Sequence, residues 1–303
     1  MKYFLPLASF FAGWILLLMT NSLFATSLVN GALQMLLFAL VVCLPIWRTG
    51  RMSYVDIGWP WGVAVIGVLT WVTGEGDPVR VALVSMAYIF VGSRMGLGAL
   101  QLWKMGVLKK ELPRYEYQKR RWLKAGKTNT ALAMQVDAIL QGMANASFLA
   151  LPAFLIATNP SDSVSALEVI GLLVWVGAFA MESVADLQKL AFLKAMKRSG
   201  QKNRVCDVGL WKYTRHPNYF AEWMVWNGLI IAAIPSWLAL QNQESTVIWG
   251  LLGVGLLMAS RMMYATLVYN TGAVPAEYYS VQKRPDYKAY QEKTNIFFPG
   301  PRK

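Results

Sequence analysis

Residues 55–103 read VDIGWPWGVAVIGVLTWVTGEGDPVRVALVSMAYIFVGSRMGLGALQLW. Two apolar runs, 54–73 and 80–103, flank a short loop (74–79) that contains Glu75 and Asp77 but no Lys or Arg. Each run is long enough as a helix to cross about 30 Å of hydrocarbon, which takes roughly 20 residues. Working outward, similar runs fall near 4–25, 30–47, 131–157, 165–188, 218–240 and 246–270. The reading is an all-α, polytopic membrane bundle of about eight transmembrane helices.

The charges agree. Nearly all of the 29 Lys and Arg lie in Lys2, Arg48, Arg51 and the stretches 104–127, 189–215 and 283–303, while the loops 26–29, 74–79, 158–164 and 241–245 have none. Positive residues stay cytoplasmic during insertion, so both termini are expected inside the cell. The expected location is the bacterial inner membrane, with the mouth of the active site facing the cytoplasm. The net charge of +13 follows from this bias, and nucleic-acid binding is not needed to explain it. Composition points the same way, with 56% hydrophobic and 15% charged residues and a mean hydropathy of +0.38. Two cysteines and one histidine exclude a disulfide-stapled module and leave no set for a His- or Cys-built zinc site. No internal repeat or low-complexity linker is visible, so 1–303 is expected to form a single membrane domain. The aromatic tail, with Tyr278, Tyr279, Tyr287, Tyr290, Phe297 and Phe298, is expected to pack at the headgroup interface.

Ionisable groups are costly inside a bilayer and mark functional candidates. Asp56, Arg94, Asp137, Glu182, Asp186, Glu222 and Arg261 all lie in or beside apolar runs. Asp137, Gln141 and Asn145 recur every four residues and share one helix face, as do Glu182 with Asp186 and Asn218 with Glu222. Arg261, Tyr264 and Tyr269 fall roughly on one stripe. Such stripes describe either a ligand-filled cavity or polar contacts that hold helices together.

The segment NRVCDVGLWKYTRHPNYFAEWMVW (Asn203–Trp226) is the most informative. Pro217 suits the first turn of a helix, where its missing N–H costs nothing. Arg204, Lys212, Arg215 and His216 surround that helix start, whose free N–H groups favour an anion. No Walker A sequence or complete GxGxxG is present, so a nicotinamide cofactor would sit in the bundle rather than on a Rossmann unit.

GLWKYTRHPNYFAEW (Gly209–Trp223), together with RPDYKAYQEKTNIFFP (Arg284–Pro299), resembles the DUF1295 group within the steroid 5-alpha-reductase superfamily. SYVDIGWPWG (Ser53–Gly62) and VGSRMGL (Val91–Leu97) carry a weaker likeness. The most reductase-like part is 130–303, containing 203–226 and the tail 271–303. The resemblance implies an NADPH-dependent oxidoreductase that reduces a carbon–carbon double bond conjugated to a carbonyl in a lipophilic, steroid- or lipid-like substrate. It implies that Arg94, Glu182, Asp186, Arg204, Asn218, Tyr219, Glu222 and Tyr269 hold the cofactor, to which the anion site at the helix start adds Arg215 and His216. Asp56 aligns with the glutamate that polarises the substrate carbonyl alongside a tyrosine. Val91 stands at the tyrosine's position, which leaves Tyr88, one turn away, as the back-up acid. No metal is implied. Beyond the bilayer and the substrate, no partner is expected.

Two other classes stay open. RHPxY also opens a helix in membrane methyltransferases that use S-adenosylmethionine, such as the isoprenylcysteine carboxyl methyltransferases. Those carry a paired glutamate before the tail, whereas GAVPAEYYSVQ (Gly272–Gln282) has Glu277 alone. Buried acids also suit a proton-coupled transporter.

Overall fold

The computed structural model describes residues 2–302 and is helical, with no strand among them. Following a short apolar helix α1 (Leu7–Met19), long helices run over Phe24–Thr49 (α2), Met52–Thr73 (α3), Pro78–Lys104 (α4), Thr130–Thr158 (α6), Ala166–Arg198 (α7) and Pro217–Asn242 (α8). Pro113–Lys124 (α5) is the amphipathic helix of the first basic loop. The last long apolar element breaks at Gly272 into Thr246–Ala265 (α9) and Ala273–Lys283 (α10), and Tyr287–Lys293 (α11) lies in the tail. Among the described residues seven elements are long and apolar enough to cross a bilayer. These match the expected runs closely, and the lipid bilayer is the environment of this polytopic bundle.

Three boundaries differ from expectation, the plainest being α2, which begins at Phe24 rather than near 30. The first apolar helix has 13 residues rather than a full span, because the chain turns at Thr20–Ser22. There Glu244 accepts a hydrogen bond from the Asn21 N–H (2.9 Å). The run expected to end near 188 continues as helix to Arg198, because hydropathy marks where lipid ends and not where helix ends.

The chain forms two compact units. Unit 1 comprises the residues up to Val169 with Leu229–Ala259, and unit 2 comprises Ile170–Gly228 with the residues from Ser260 onward.

In unit 1 an antiparallel hairpin, α3 and α4, is built on small residues. A Cβ at Gly67 would meet the Ser85 carbonyl at 2.7 Å, and one at Gly92 the Ala64 nitrogen at 2.5 Å. In lipid, where hydrophobicity does not drive helices together, such close backbone approach supplies the packing. Asp77 caps α4, accepting from Val79 N (3.1 Å) and Arg80 N (3.0 Å), with Pro78 in the first turn. Buried Arg80 pairs with buried Glu168, its Nη2 lying 3.1 Å from Oε2.

The polar face expected on α6 proves to be helix–helix contact at its inner end. Asn30 donates to the Asn145 carbonyl (3.1 Å), Gln34 to the Gly62 carbonyl (2.9 Å), and Asn145 to the Trp59 carbonyl (3.1 Å). Asn30, Gln34 and Asn145 are fully buried. A Cβ at Gly62 would lie 2.1 Å from Asn145 Nδ2, so glycine there makes room for the network.

Candidate functional site

Unit 2 places the Asn203–His216 loop on α7. The Leu210 N–H donates to Gln188 Oε1 (2.9 Å) and the Trp211 indole to the Ala185 carbonyl (3.0 Å). Gly209 has φ +53°, and a Cβ there would meet Gln188 Oε1 at 2.4 Å, so both conformation and space require glycine. Lys189 Nζ lies over the Trp211 ring at 4.3 Å. The helix α8 then begins at Pro217, as the sequence indicates.

The tail folds back onto this loop. Arg215 N–H donates to the Asn295 carbonyl (2.9 Å), Thr214 Oγ1 to the Phe297 carbonyl (2.9 Å), and Gly300 N–H to the Tyr213 carbonyl (3.1 Å). Phe297 is buried among Phe220, Trp223 and Tyr264, with ring centroids 5.2–6.0 Å apart. Tyr287, Tyr290 and Phe297 are thus core residues of the unit, whereas the sequence places them at the headgroup interface. Their aromatic surface finds protein partners because the tail closes over the start of α8.

Beneath the tail lies a buried cluster centred on Glu277. Its carboxylate receives Arg215 Nε (2.6 Å) and Nη2 (3.1 Å) at separate oxygens, Gln291 Nε2 at 2.6 Å, and lies 3.0 Å from His216 Nε2. Arg215 also donates to the carbonyls of Gln291 (3.0 Å) and Thr294. Its guanidinium is therefore committed to Glu277 and the tail, and Arg215 acts by position rather than as a cation open to a ligand. The His216 ring stacks parallel on Tyr219, with centroids 5.3 Å apart. Burial lowers the His216 pKa below 6.5, outweighing the Glu277 hydrogen bond that raises it, so the imidazole is neutral at pH 7.

Two cavities open in this unit. The first, about 270 Å³, is lined by Lys189, His216, Asn218, Tyr219, Arg284 and Tyr287 among others. The second, about 410 Å³, is bounded by Phe192, Lys197, Lys202, Asn203, Arg204 and again Arg284. No carboxylate lines either cavity. Arg284 is held in place by its own bonds to the Arg204 carbonyl (3.2 Å) and Ser280 Oγ (2.8 Å). Asn218 donates from Nδ2 to Asp186 Oδ1 (3.2 Å), which fixes the amide orientation, and its Oδ1 is buried without a partner.

Of the residues singled out from sequence, Arg204, Arg215, His216, Asn218 and Tyr219 line these cavities, and Asp186 braces Asn218. Glu182, Glu222 and Tyr269 line neither. Tyr269 packs against Tyr264 (6.0 Å) because a π-helical turn, Thr266–Asn270, brings residues five apart onto one side. Lys189, Arg284 and Glu277 were not among the sequence-derived site residues. Lys189 and Arg284 sit in stretches already rich in cations, and the partners of Glu277 lie as far as 62 residues away in the chain.

The substrate-side candidates belong to unit 1. Asp56, in the first turn of α3, accepts from the Tyr115 hydroxyl (2.5 Å) and from Arg114. As arranged, this carboxylate accepts from both neighbours and donates to neither, unlike the donor expected from sequence. Tyr88 is buried and donates its hydroxyl to the Leu149 carbonyl (2.7 Å). Val91 is buried and Arg94 half-buried on the same helix, α4.

Comparison with curated proteins and with solved structures finds no match. A family model described as protein of unknown function (DUF1295) matches residues 44–294, from the end of α2 through the cavity-lining loop, α8 and the tail. The chain therefore belongs to the DUF1295 family.

Proposed function

We propose that this protein is a membrane-embedded, NADPH-dependent reductase of a carbon–carbon double bond conjugated to a carbonyl in a lipophilic substrate. The supporting observation is the charge of the two cavities. Lys189, Lys197, Lys202, Arg204 and Arg284 line them, they share Arg284, and no carboxylate is among the lining residues, the nearest partner being Asp286, which pairs with exposed Arg204 at 3.3 Å. That lining suits an elongated ligand carrying several phosphates. S-adenosylmethionine carries a sulfonium cation and no phosphate, so the same lining opposes it.

The residues present fit such a cofactor. Arg204 and Arg284 would hold phosphate groups, for which the guanidinium fork is suited. The unpartnered Asn218 Oδ1 would accept from an amide N–H. Stacked His216 and Tyr219 would form a flat wall of the cavity. When bound, the cofactor supplies hydride to the β-carbon of the activated alkene. An acid near the carbonyl would stabilise the enolate that develops. In the related reductases a carboxylate works with a tyrosine, and here the tyrosine against Asp56 is Tyr115, not Tyr88. Burial, reinforced by the Asp56 charge, raises the Tyr115 pKa well above 10, so it remains a phenol able to hold a proton. The positive-inside bias supports a cytoplasmic side for the basic loops that line the cavities, in a bacterial inner membrane.

The test is thermal. A ligand at a hundred times its dissociation constant stabilises a protein by about 2.7 kcal/mol. Purified in detergent, the protein is expected to melt higher with saturating NADPH and unchanged with S-adenosylmethionine. Lys202→Gln with Arg284→Gln should shrink the NADPH shift. A shift with S-adenosylmethionine alone would replace the reductase with a methyltransferase.

A further inference from the structure

A third cavity lies in unit 1, at the ends of its apolar helices. Arg51, Tyr54, Trp103, Lys104, Leu108 and Lys109 line about 270 Å³. Its placement follows from the chain. Arg51 joins α2 to α3, Lys104 ends α4, and a turn at Gly106 (φ +75°) reverses the backbone so that the 3₁₀ segment Val107–Lys109 brings Lys109 back beside them. A Cβ at Gly106 would lie 3.5 Å from the Lys109 side chain, so that stem rests on the turn. Leu108 anchors the segment in a hydrophobic cluster with Ile57 and Ala99.

The cations of this cavity are not neutralised. Among the described residues Arg51, Lys104 and Lys109 form no ion pair with a carboxylate, whereas the neighbouring Arg114 and Lys119 pair with Asp56 and Glu111. The Arg51 guanidinium reaches the Tyr54 hydroxyl at 3.3 Å and lies 5.8 Å from its ring, yet its Nε–H is buried and lacks an acceptor. A buried donor without a partner calls for a ligand that supplies one. An acceptor that answers three cations at once is a phosphate.

The flank indicates where that phosphate comes from. Trp103 of the lining, with Trp47 (76% exposed), Leu102, Met105 (69% exposed) and Val107 within four residues of it or Arg51 in the chain, presents apolar surface. Trp at the ends of membrane helices sits at headgroup level. Basic residues there attract anionic lipids. A soluble phosphate would use the cations but leave this surface unused, whereas a lipid uses both.

We infer that Arg51, Lys104 and Lys109, walled by Tyr54 and Trp103, form a binding site for the phosphate of an anionic phospholipid headgroup, separate from the cavities of unit 2.

The experiment is native mass spectrometry of the full chain in detergent, with phosphatidylglycerol, phosphatidylcholine and soluble glycerol 3-phosphate as probes. Phosphatidylglycerol is expected to be retained on the order of tenfold better than phosphatidylcholine, given the attraction of each basic residue near a membrane surface for anionic lipid. Arg51→Gln/Lys104→Gln/Lys109→Gln should remove that preference. Arg48→Gln/Lys110→Gln/Lys124→Gln, which deletes the same charge outside the cavity, should keep it. Lys104→Glu alone changes one exposed side chain at a helix end, and should weaken retention while the protein stays monodisperse. Equal losses in the two triple variants would overturn the site in favour of general surface charge. Retention of glycerol 3-phosphate equal to that of the lipid would overturn the lipid assignment, and no preference in the unaltered protein would overturn both.

Discussion

The amide core of unit 1 and the basic cavities of unit 2 surround their polar groups differently. In unit 1 the amide donors of Asn30, Gln34 and Asn145 close on one another and on helix carbonyls, with Asn145 Oδ1 the one oxygen of the three left unpartnered, and Arg80 closes on Glu168. In unit 2 cations line open cavities, and a buried acceptor, Asn218 Oδ1, is left without a partner. α6 is largely buried and α7 mostly exposed. Satisfied polar contacts within lipid hold helices in register, and unsatisfied ones mark where a ligand completes the structure. On our proposal the Asn30–Gln34–Asn145 core serves as scaffold and the cation-lined cavities of unit 2 take the ligand.

Glu277 breaks that division, since it is a closed network inside the open unit, and its removal should have the largest effect. Glu277→Ala leaves Arg215 and His216 buried without their carboxylate. Breaking a buried pair on one side costs about 3–5 kcal/mol. Denaturant or thermal melting in detergent should therefore show strong destabilisation, with proteolysis of the released tail as the structural readout. A mild loss would mean that the tail is held by its backbone contacts alone.

The scaffold itself is tested by Gly92→Ala, next in size. The added methyl would meet the Ala64 nitrogen at 2.5 Å and the Pro60 carbonyl at 2.6 Å, both backbone atoms with no rotamer to adjust. Overpacking of this kind costs about 1–3 kcal/mol. Gly98→Ala, on the same helix with open space around it, should cost nothing measurable and serves as the control.

How much of this was legible beforehand follows the range of the interactions involved. Span positions depend on local composition, and so α3, α4, α6 and α8 lie within two residues of their expected limits. Pro217 as the first residue of α8 is equally local. Asp186 facing Asn218 was foreshadowed by two four-residue stripes, although a stripe does not name its partner. The Asp56–Tyr115 and Arg215–Glu277 contacts join residues about sixty apart, and no spacing rule reaches across that distance. The family resemblance points to Tyr88 on α4, while the tyrosine that the fold sets against Asp56 is Tyr115 on α5.

A smaller effect sharpens the ligand side of the comparison. Asn218→Asp keeps size and replaces the donor toward Asp186 with a second carboxylate, whereas Asn218→Ala removes the unpartnered acceptor. A hydrogen bond contributes about 0.5–1.5 kcal/mol net. Asn218→Ala should thus weaken NADPH binding by up to about tenfold in a fluorescence titration, with a loss of free-protein stability no larger than the one hydrogen bond to Asp186 contributes. Asn218→Asp should lower stability as well, by setting two acids 3.2 Å apart.

The smallest expected effect is a pH dependence confined to unit 2. Buried His216 has its pKa depressed below 6.5, and it faces Glu277, Arg215 and Lys189. Well above pH 6.5 the imidazole is neutral in both the folded and unfolded chain, and no stability is at stake. As pH falls below 6.5 the unfolded chain takes up a proton that the folded chain resists, so stability declines until the folded pKa is reached. The melting temperature should therefore drop on acidification from pH 7 through 6, and His216→Gln should flatten that slope while leaving the Glu277–Arg215 pair in place. An unchanged slope in His216→Gln would assign the acid sensitivity to carboxylates instead. The Glu277 network would then be a purely electrostatic clamp, in which the imidazole packs against Tyr219 without influencing the proton balance of folding.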